Sequence, residues 1–190
     1  MAIDAGIEMM PSELRSYGGV THFLTQRFDR NGNEKIHTQT LAAMSPGSDS
    51  YEDIFAVIRK LNLPYEDSRQ QYLRMVFNII ARNVDDHSKN FSFCMNHEGE
   101  WSLSPAYDLT YSVDLSAPFY SNRNSLTVNG KNEEITRKDL EFVGRNNDIP
   151  EYKVSIDAVA NAIERFGEYA KELDLGQKLV ESIRKDFVKV

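Results

Sequence analysis

Asp85, Asn90 and Asp108 are the residues of this 190-residue sequence whose types and spacing could do chemistry. An aspartate can orient a hydroxyl and accept its proton. An asparagine and a second aspartate offer the oxygen ligands that Mg²⁺ prefers, and since that ion keeps several waters, two protein ligands are enough. Phosphoryl transfer asks for these three functions and little covalent chemistry, because it works by positioning and charge stabilisation. Asp85 and Asn90 share the polar run Asn83-Val84-Asp85-Asp86-His87-Ser88-Lys89-Asn90, and Asp108 follows eighteen positions later. Lys89 puts a cation on the same run, where it would face a transferred phosphate. Polar loops after helices also hold Asp and Asn for capping, so the spacing alone leaves both uses open. Asp86 reads as a solvated neighbour of Asp85, and His87 as a loop histidine.

The elements around these residues must bring them together. Leu73, Val76, Phe77 and Ile80 follow the i, i+3, i+4, i+7 template, with Met75 and Ile79 widening the stripe. Pro64 in the first turn and the acids Glu66 and Asp67 mark the start of this helix, which runs to about Arg82. The polar run follows it directly. The segment Phe91 to Met95 then reads as a strand turned back at Asn96 to Glu100 into Trp101-Ser102-Leu103. Protein kinases use the same order, with an Asp and an Asn five apart on one loop and a later Asp past a hairpin.

Elsewhere, Ala2 to Leu14 reads as a broken helical stretch and Tyr17-Gly18-Gly19 as a turn. His22 to Phe28 alternates as a strand, and Asp29 to Asn33 is a hairpin-type turn. Thr38 is expected to cap a short helix through Met44, and a second helix spans about Tyr51 to Leu61. Ser112 to Arg123 reads as irregular, and Ser125 to Val128 as a strand. Helices are expected over Arg137 to Arg145, Val154 to Leu173 and Gln177 to Val188. The fold class is therefore α+β, predominantly helical, with short antiparallel hairpins, in one domain over 1–190.

Composition excludes other classes. Hydrophobic residues make up 41% and charged residues 27%, which is a globular average and not a disordered, collagenous or rod-like chain. The longest apolar run, Met75 to Ala81, is interrupted by Asn78 and far short of the roughly 20 residues a bilayer span needs. MAIDAGIEMM has two acids and no basic run, so no signal peptide is expected. The single cysteine, Cys94, fits a reducing compartment, and a cytoplasmic location is the expectation. A net charge of −7 argues against direct nucleic-acid contact.

The wording of three segments is more specific. Asn83-Val84-Asp85-Asp86-His87-Ser88-Lys89-Asn90-Phe91-Ser92 resembles the D-x-H-x-K-N-F loop of the HipA family, the serine/threonine kinase toxins of HipBA-type toxin–antitoxin modules. Leu103-Ser104-Pro105-Ala106-Tyr107-Asp108-Leu109 is similar to that family's L-x-P-x-Y-D metal-binding turn. Phe23-Leu24-Thr25-Gln26-Arg27-Phe28-Asp29-Arg30 resembles its F-L-x-x-R-F-D-R hinge, with Gly6 to Pro11 like the preceding helix. The resemblance implies a kinase-like C-terminal lobe, with a hinge strand over 22–30, a catalytic loop over 83–91, a metal-binding turn over 103–109 and C-terminal helices over 137–189. It implies Asp85 as base, assisted by Lys89, with Mg²⁺ on Asn90 and Asp108. ATP would contact Gln26, Arg27 and Phe28 through its adenine and His87, Ser88, Lys89, Asn90, Tyr107 and Asp108 through its phosphates. Arg27 and Asp29 are equally readable as an ion pair beside the hinge. The implied partners are a protein substrate and a HipB-like DNA-binding antitoxin.

The resemblance also sets an expectation of something missing. A phosphate-covering loop and a strand lysine lie before the hinge in such kinases. Here no lysine precedes Lys35. The N-terminal lobe is therefore expected to be absent from these residues, making the chain a fragment, a truncated product or half of a split enzyme. The phosphotransferase would need that lobe as a partner, with homodimerisation through the uncovered face as another outcome. A non-catalytic, kinase-like binding module is the alternative. A metal hydrolase built on Asp85, Asp86, His87, His97 and Asp108 is disfavoured, because adjacent ligands on one tight loop rarely converge on one ion. Aminoglycoside phosphotransferases share the loop spacing, and the hinge and L-S-P-A-Y-D-L wording decides for HipA. His22, His37 and His97 are expected on the surface, and Trp101 in packing.

Overall fold

The helix from Pro64 onward organises the fold, as its periodicity requires. The computed structural model describes residues 1–114, 116 and 122–190. In chain order these form β1 (Ser12–Tyr17), β2 (Val20–Thr25), β3 (Arg30–Asn31), β4 (Glu34–Lys35), β5 (His37–Thr40), α1 (Leu41–Met44), α2 (Tyr51–Lys60) and α3 (Tyr65–Ile80). Then come β6 (Ser92–Met95), β7 (Trp101–Leu103), α4 (Arg137–Asn146), α5 (Tyr152–Glu164), α6 (Phe166–Glu172) and α7 (Gln177–Asp186). The class is α+β, as expected.

Every residue from Gln70 to Ile80 in α3 is buried, because α2 and α5 pack on it from different sides. Leu73, Met75, Val76 and Ile79 join Tyr51, Phe55, Leu140, Ile156 and Val159 in one core. Capping boxes start α2 at Ser50 with Asp53 and α4 at Thr136 with Asp139, satisfying backbone N–H groups that a helix start leaves free. β5, β6 and β7 form an antiparallel sheet with Thr40 opposite Ser92 and Phe93 opposite Leu103. Asp67 of α3 accepts from Leu103 N at 3.1 Å, which ties that sheet to the central helix. β1 and β2 form a separate exposed hairpin whose loop is Gly18-Gly19, at φ +59° and +79°. A two-residue loop of this hand needs positive φ at both positions, which glycine alone adopts freely.

Several local expectations are corrected. The N-terminal stretch is a turn over residues 2–6, and Ser12 to Leu14 belong to β1. The hinge strand stops at Thr25, and Gln26 to Phe28 leave the ladder, with Gln26 N still donating to Pro11 O at 3.0 Å. Thr38 lies inside β5, and the α1 cap is Thr40, whose hydroxyl accepts from Ala43 N. Strand pairing with Ser92 to Met95 outcompetes helix start at Thr38. Residues 125–128 make only isolated bridges, Thr127 with Ser50 and Val128 with Lys131. Val154 to Leu173 is two helices broken at Arg165, where Phe166 packs edge-on against Phe187 at 5.3 Å. Of the stretch 112–123, residues 115 and 117–121 lie outside the described residues. His22, His37 and His97 are exposed, and Trp101 is half-buried with its ring edge-on to His37.

Candidate functional site

The end of α3 sets the direction of the polar loop. Arg82 adopts φ +60°, Arg82 N donates to Ile79 O at 3.4 Å and Asn83 N to Asn78 O at 2.9 Å. That is the six-to-one closure that ends helices, with arginine where glycine is commoner. The reversal delivers Asn83 back over the helix. Its side chain donates to Asn78 Oδ1 and to Asp108 O, both at 3.0 Å. Two residues on, the Asp85 carboxylate is exposed, with His87 Nε2 3.9 Å away. Its backbone is fixed on both sides: Asp85 N donates to Ser112 Oγ at 3.1 Å, and Asp85 O accepts from Asn90 Nδ2 at 2.9 Å.

Asp86 faces the other way. It is fully buried and accepts from Tyr51 Oη at 2.7 Å, Asn124 Nδ2 at 2.9 Å, Ser125 N at 2.6 Å and Leu126 N at 3.4 Å. Burial pushes its pKa up, and the donated hydrogen bonds oppose that. The expected solvated neighbour is thus an internal anchor of the loop. His87 is half-buried, and its Nδ1 has no protein partner.

Past β7, Ala106 N donates to Glu8 O at 2.8 Å, and Asp108 sits exposed at φ +55°. Tyr107 connects this turn to the polar loop. Its hydroxyl donates to Lys89 O at 2.8 Å, which leaves it to accept from Ser92 Oγ at 2.6 Å. The Tyr107 ring lies 5.4 Å from that of Phe28. Beneath the turn, the buried Arg74 donates to Ser104 O at 2.7 Å while its Nε has no protein partner. Burial lowers the Arg74 pKa to about 10, which leaves it a cation at neutral pH.

A cavity of about 750 Å³ opens beside these residues, lined by Gln26, Arg27, Phe28, Tyr107 and Asp108 together with the apolar Met9, Met10 and Leu109. Its size and lining suit a flat heterocycle. Asn90, Tyr107 and Asp108 also meet in a narrow adjoining cleft above Arg74. Asn90 has committed its Nδ2 to Asp85 O, so its Oδ1 is the end left for a cation. The Asp108 carboxylate makes no ion pair among the described residues. Asn90 and Asp108 both line this cleft and carry hard oxygens of the kind Mg²⁺ prefers.

Asp85, His87, Ser88 and Lys89 line neither space. Lys89 is exposed and makes no ion pair among the described residues. Arg27 forms a two-point ion pair with Asp29, at 2.8 and 2.6 Å, and its hydrogen bonds hold the Asp29 carboxyl at about 2. The hydrolase grouping is not assembled: Asp86 points inward and His97 pairs with Glu34 at 2.8 Å. Sequence alone assigns no role to Asn78, Asn83, Ser112 or Asn124, which hold the loop and turn in place. Asn78 had a signal, as the polar break in an apolar helix run, and Ser112 had none.

A family model described as the HipA-like C-terminal domain matches residues 1–185. A curated protein of Sinorhizobium fredii (strain NBRC 101917 / NGR234), named "Putative kinase Y4mE", is 27% identical over 135 residues, covering 61% of this chain and 32% of that protein. Among solved structures, the Shewanella oneidensis MR-1 toxin–antitoxin complex of HipA, HipB and operator DNA aligns over 100% of this chain and 48% of the matched chain. Its TM-score is 0.67 at 18% identity, a likeness of fold. The chain thus spans about a third of that curated relative and about half of that solved chain.

Proposed function

The chain belongs to the HipA-like C-terminal domain family, and on that premise we propose that it is the kinase-like, metal- and nucleotide-binding lobe of a protein serine/threonine kinase serving as the toxin of a toxin–antitoxin pair. The observation that carries this is that Asn90 and Asp108 line one cleft, beside a cavity lined by Gln26 to Phe28. In this reading adenine lies in the cavity against Phe28, Met9 and Leu109. Asn90 and Asp108 hold Mg²⁺, which when bound would neutralise charge on the phosphates. Asp85 is the base: its carboxylate is exposed to an incoming hydroxyl while its backbone is fixed by Ser112 and Asn90. Lys89 offers an unpaired cation on the Asp85 loop, and His87 and Ser88 would meet the phosphates from that loop, outside the cavity and cleft that they do not line. The phosphate loop and its lysine come from a separate N-terminal lobe. Phe23, 66% exposed, and its exposed cross-strand partner Leu14 give that lobe an apolar patch on one face of the hairpin to cover. A HipB-like protein is the proposed antitoxin, and it would carry any operator contact.

A second reading, a binding module without catalysis, draws on one observation: the cavity wall contains no lysine, and its arginine, Arg27, is held by Asp29. Phosphotransfer separates the two. These residues, expressed with the coding sequence that precedes them, should move the γ-phosphate of labelled ATP onto protein serine or threonine, and Asp85→Asn should abolish it. The 190-residue chain alone should transfer negligibly. Transfer unaffected by Asp85→Asn would sink the assignment of the base, and none at all in the longer protein would favour the module.

A further inference from the structure

Ser112 lines neither the cavity nor the cleft, yet it touches the backbone of the polar loop where Asp85 sits. Its Oγ accepts from Val84 N at 2.8 Å and Asp85 N at 3.1 Å and donates to Asn83 Oδ1 at 3.2 Å. Asn83 is buried, and its Nδ2 reaches Asp108 O and Asn78 Oδ1. A continuous path therefore runs from the Asp85 amide through the Ser112 hydroxyl and the Asn83 amide to the Asp108 carbonyl. Asp108 holds a left-handed turn at φ +55°, and the Asn83 hydrogen bond to its carbonyl ties that turn to the path. Asn78, in the middle of α3, gives the path a rigid footing. A hydroxyl used once as donor and twice as acceptor is fully committed, and an Asn holding both segments leaves neither free to slide.

We infer that Asn83 and Ser112 are positioning residues that clasp the Asp85 loop to the Asp108 turn, fix the separation of the two aspartates, and hold the Asn90/Asp108 oxygens ready for a divalent cation. The cation part rests on the nucleotide-site reading above, and the clasp itself does not. Residues that orient ligands from behind in this way cost about 10–100-fold in metal affinity when lost.

The test uses the 190-residue chain with Ser112→Ala and Ser112→Thr, the latter keeping the hydroxyl. Electron paramagnetic resonance reads Mn²⁺ affinity in the presence of the non-hydrolysable ATP analogue AMP-PNP. Ser112→Ala should weaken Mn²⁺ at least about tenfold, Ser112→Thr should restore binding, and Ser112→Ala should add nothing to Asp108→Ala. Unchanged affinity in Ser112→Ala overturns the inference. If the wild-type chain binds no Mn²⁺, the nucleotide-site reading fails, and backbone amide resonances then decide the clasp. Ser112→Ala should shift Asp108 and Leu109 as well as Val84 and Asp85. Shifts confined to Val84 and Asp85 overturn the clasp. Where Ser112→Ala is too unstable, Ser112→Cys, with a weakly accepting thiol, gives the same readings.

Discussion

Tyr51→Phe removes one oxygen from the core and should be costly out of proportion to its size. Tyr51 is fully buried, and its hydroxyl donates to the Asp86 carboxylate at 2.7 Å and accepts from Asn78 Nδ2 at 3.0 Å. A hydrogen bond to a charged group contributes about 1.5–3 kcal/mol, and a buried donor left unpaired costs about 1 kcal/mol or more. Phenylalanine keeps the ring and its edge-on contact with Phe91, at 5.6 Å, so no large cavity opens. The loss should be about 3 kcal/mol, or a fall in Tm of about 6–12 °C for a domain of this length. Urea unfolding followed by circular dichroism measures it, with an unchanged m-value as the check that only the native state was altered. Tyr72→Phe is the internal control, because its hydroxyl donates to a neutral acceptor, Leu140 O at 2.9 Å, and should cost only about 1 kcal/mol. A loss below about 0.5 kcal/mol in Tyr51→Phe, or equal losses in both variants, would refute the view that Asp86 is a charged anchor.

Two further perturbations probe packing and charge. Gly144→Ala would put a Cβ 2.5 Å from Tyr152 Cβ, where α4 and α5 touch, so a loss of about 2 kcal/mol is expected in spite of the better helix former; a neutral or stabilised variant would contradict this contact. At the start of α4, burial would raise the Asp139 pKa, but hydrogen bonds from Thr136, Lys131 and Asn129 outweigh it and hold the carboxyl well below the usual carboxylate range. Since the folded value is depressed, this stability is present above about pH 4 and lost as the pH falls below it. The advantage of the wild type over Asp139→Asn in urea unfolding should shrink on acidification, and a gap independent of pH would show the linkage wrong.

What could be read from the sequence was whatever local chemistry decides. The α3 stripe from Leu73 to Ile80, the helix starts at Tyr51 and Arg137 and the Gly18-Gly19 turn depend on neighbours within a few positions, and they stand where the pattern put them. Thr38 and Thr40 are both plausible caps locally, and only pairing with Ser92 to Met95, more than fifty residues away, chooses between them. Asp86 is the sharper case. In the sequence it is one of two adjacent acids in a polar loop, and its burial depends on Tyr51, Asn124 and Ser125 arriving from distant segments. The break at Arg165, with Gly167 two residues on as a local signal, coincides with the packing of Phe166 on the distant Phe187. At the site, Asn90 and Asp108, the proposed oxygen donors, stand out in the sequence by type and order. The groups that hold them, Asn83 and Ser112, were not, because a hydrogen-bonded asparagine or serine looks like any other loop residue.

In the proposed function, Asn90 and Asp108, beside the cavity at Gln26 to Phe28, bind a nucleotide through a divalent cation. Calorimetric titration of Mg·ATP into the 190-residue chain tests it most directly. The expected result is weak binding, with a dissociation constant of order a millimolar because only one wall of the site is present, and its loss in Asp108→Ala. Tight micromolar binding that Asp108→Ala leaves intact would contradict it.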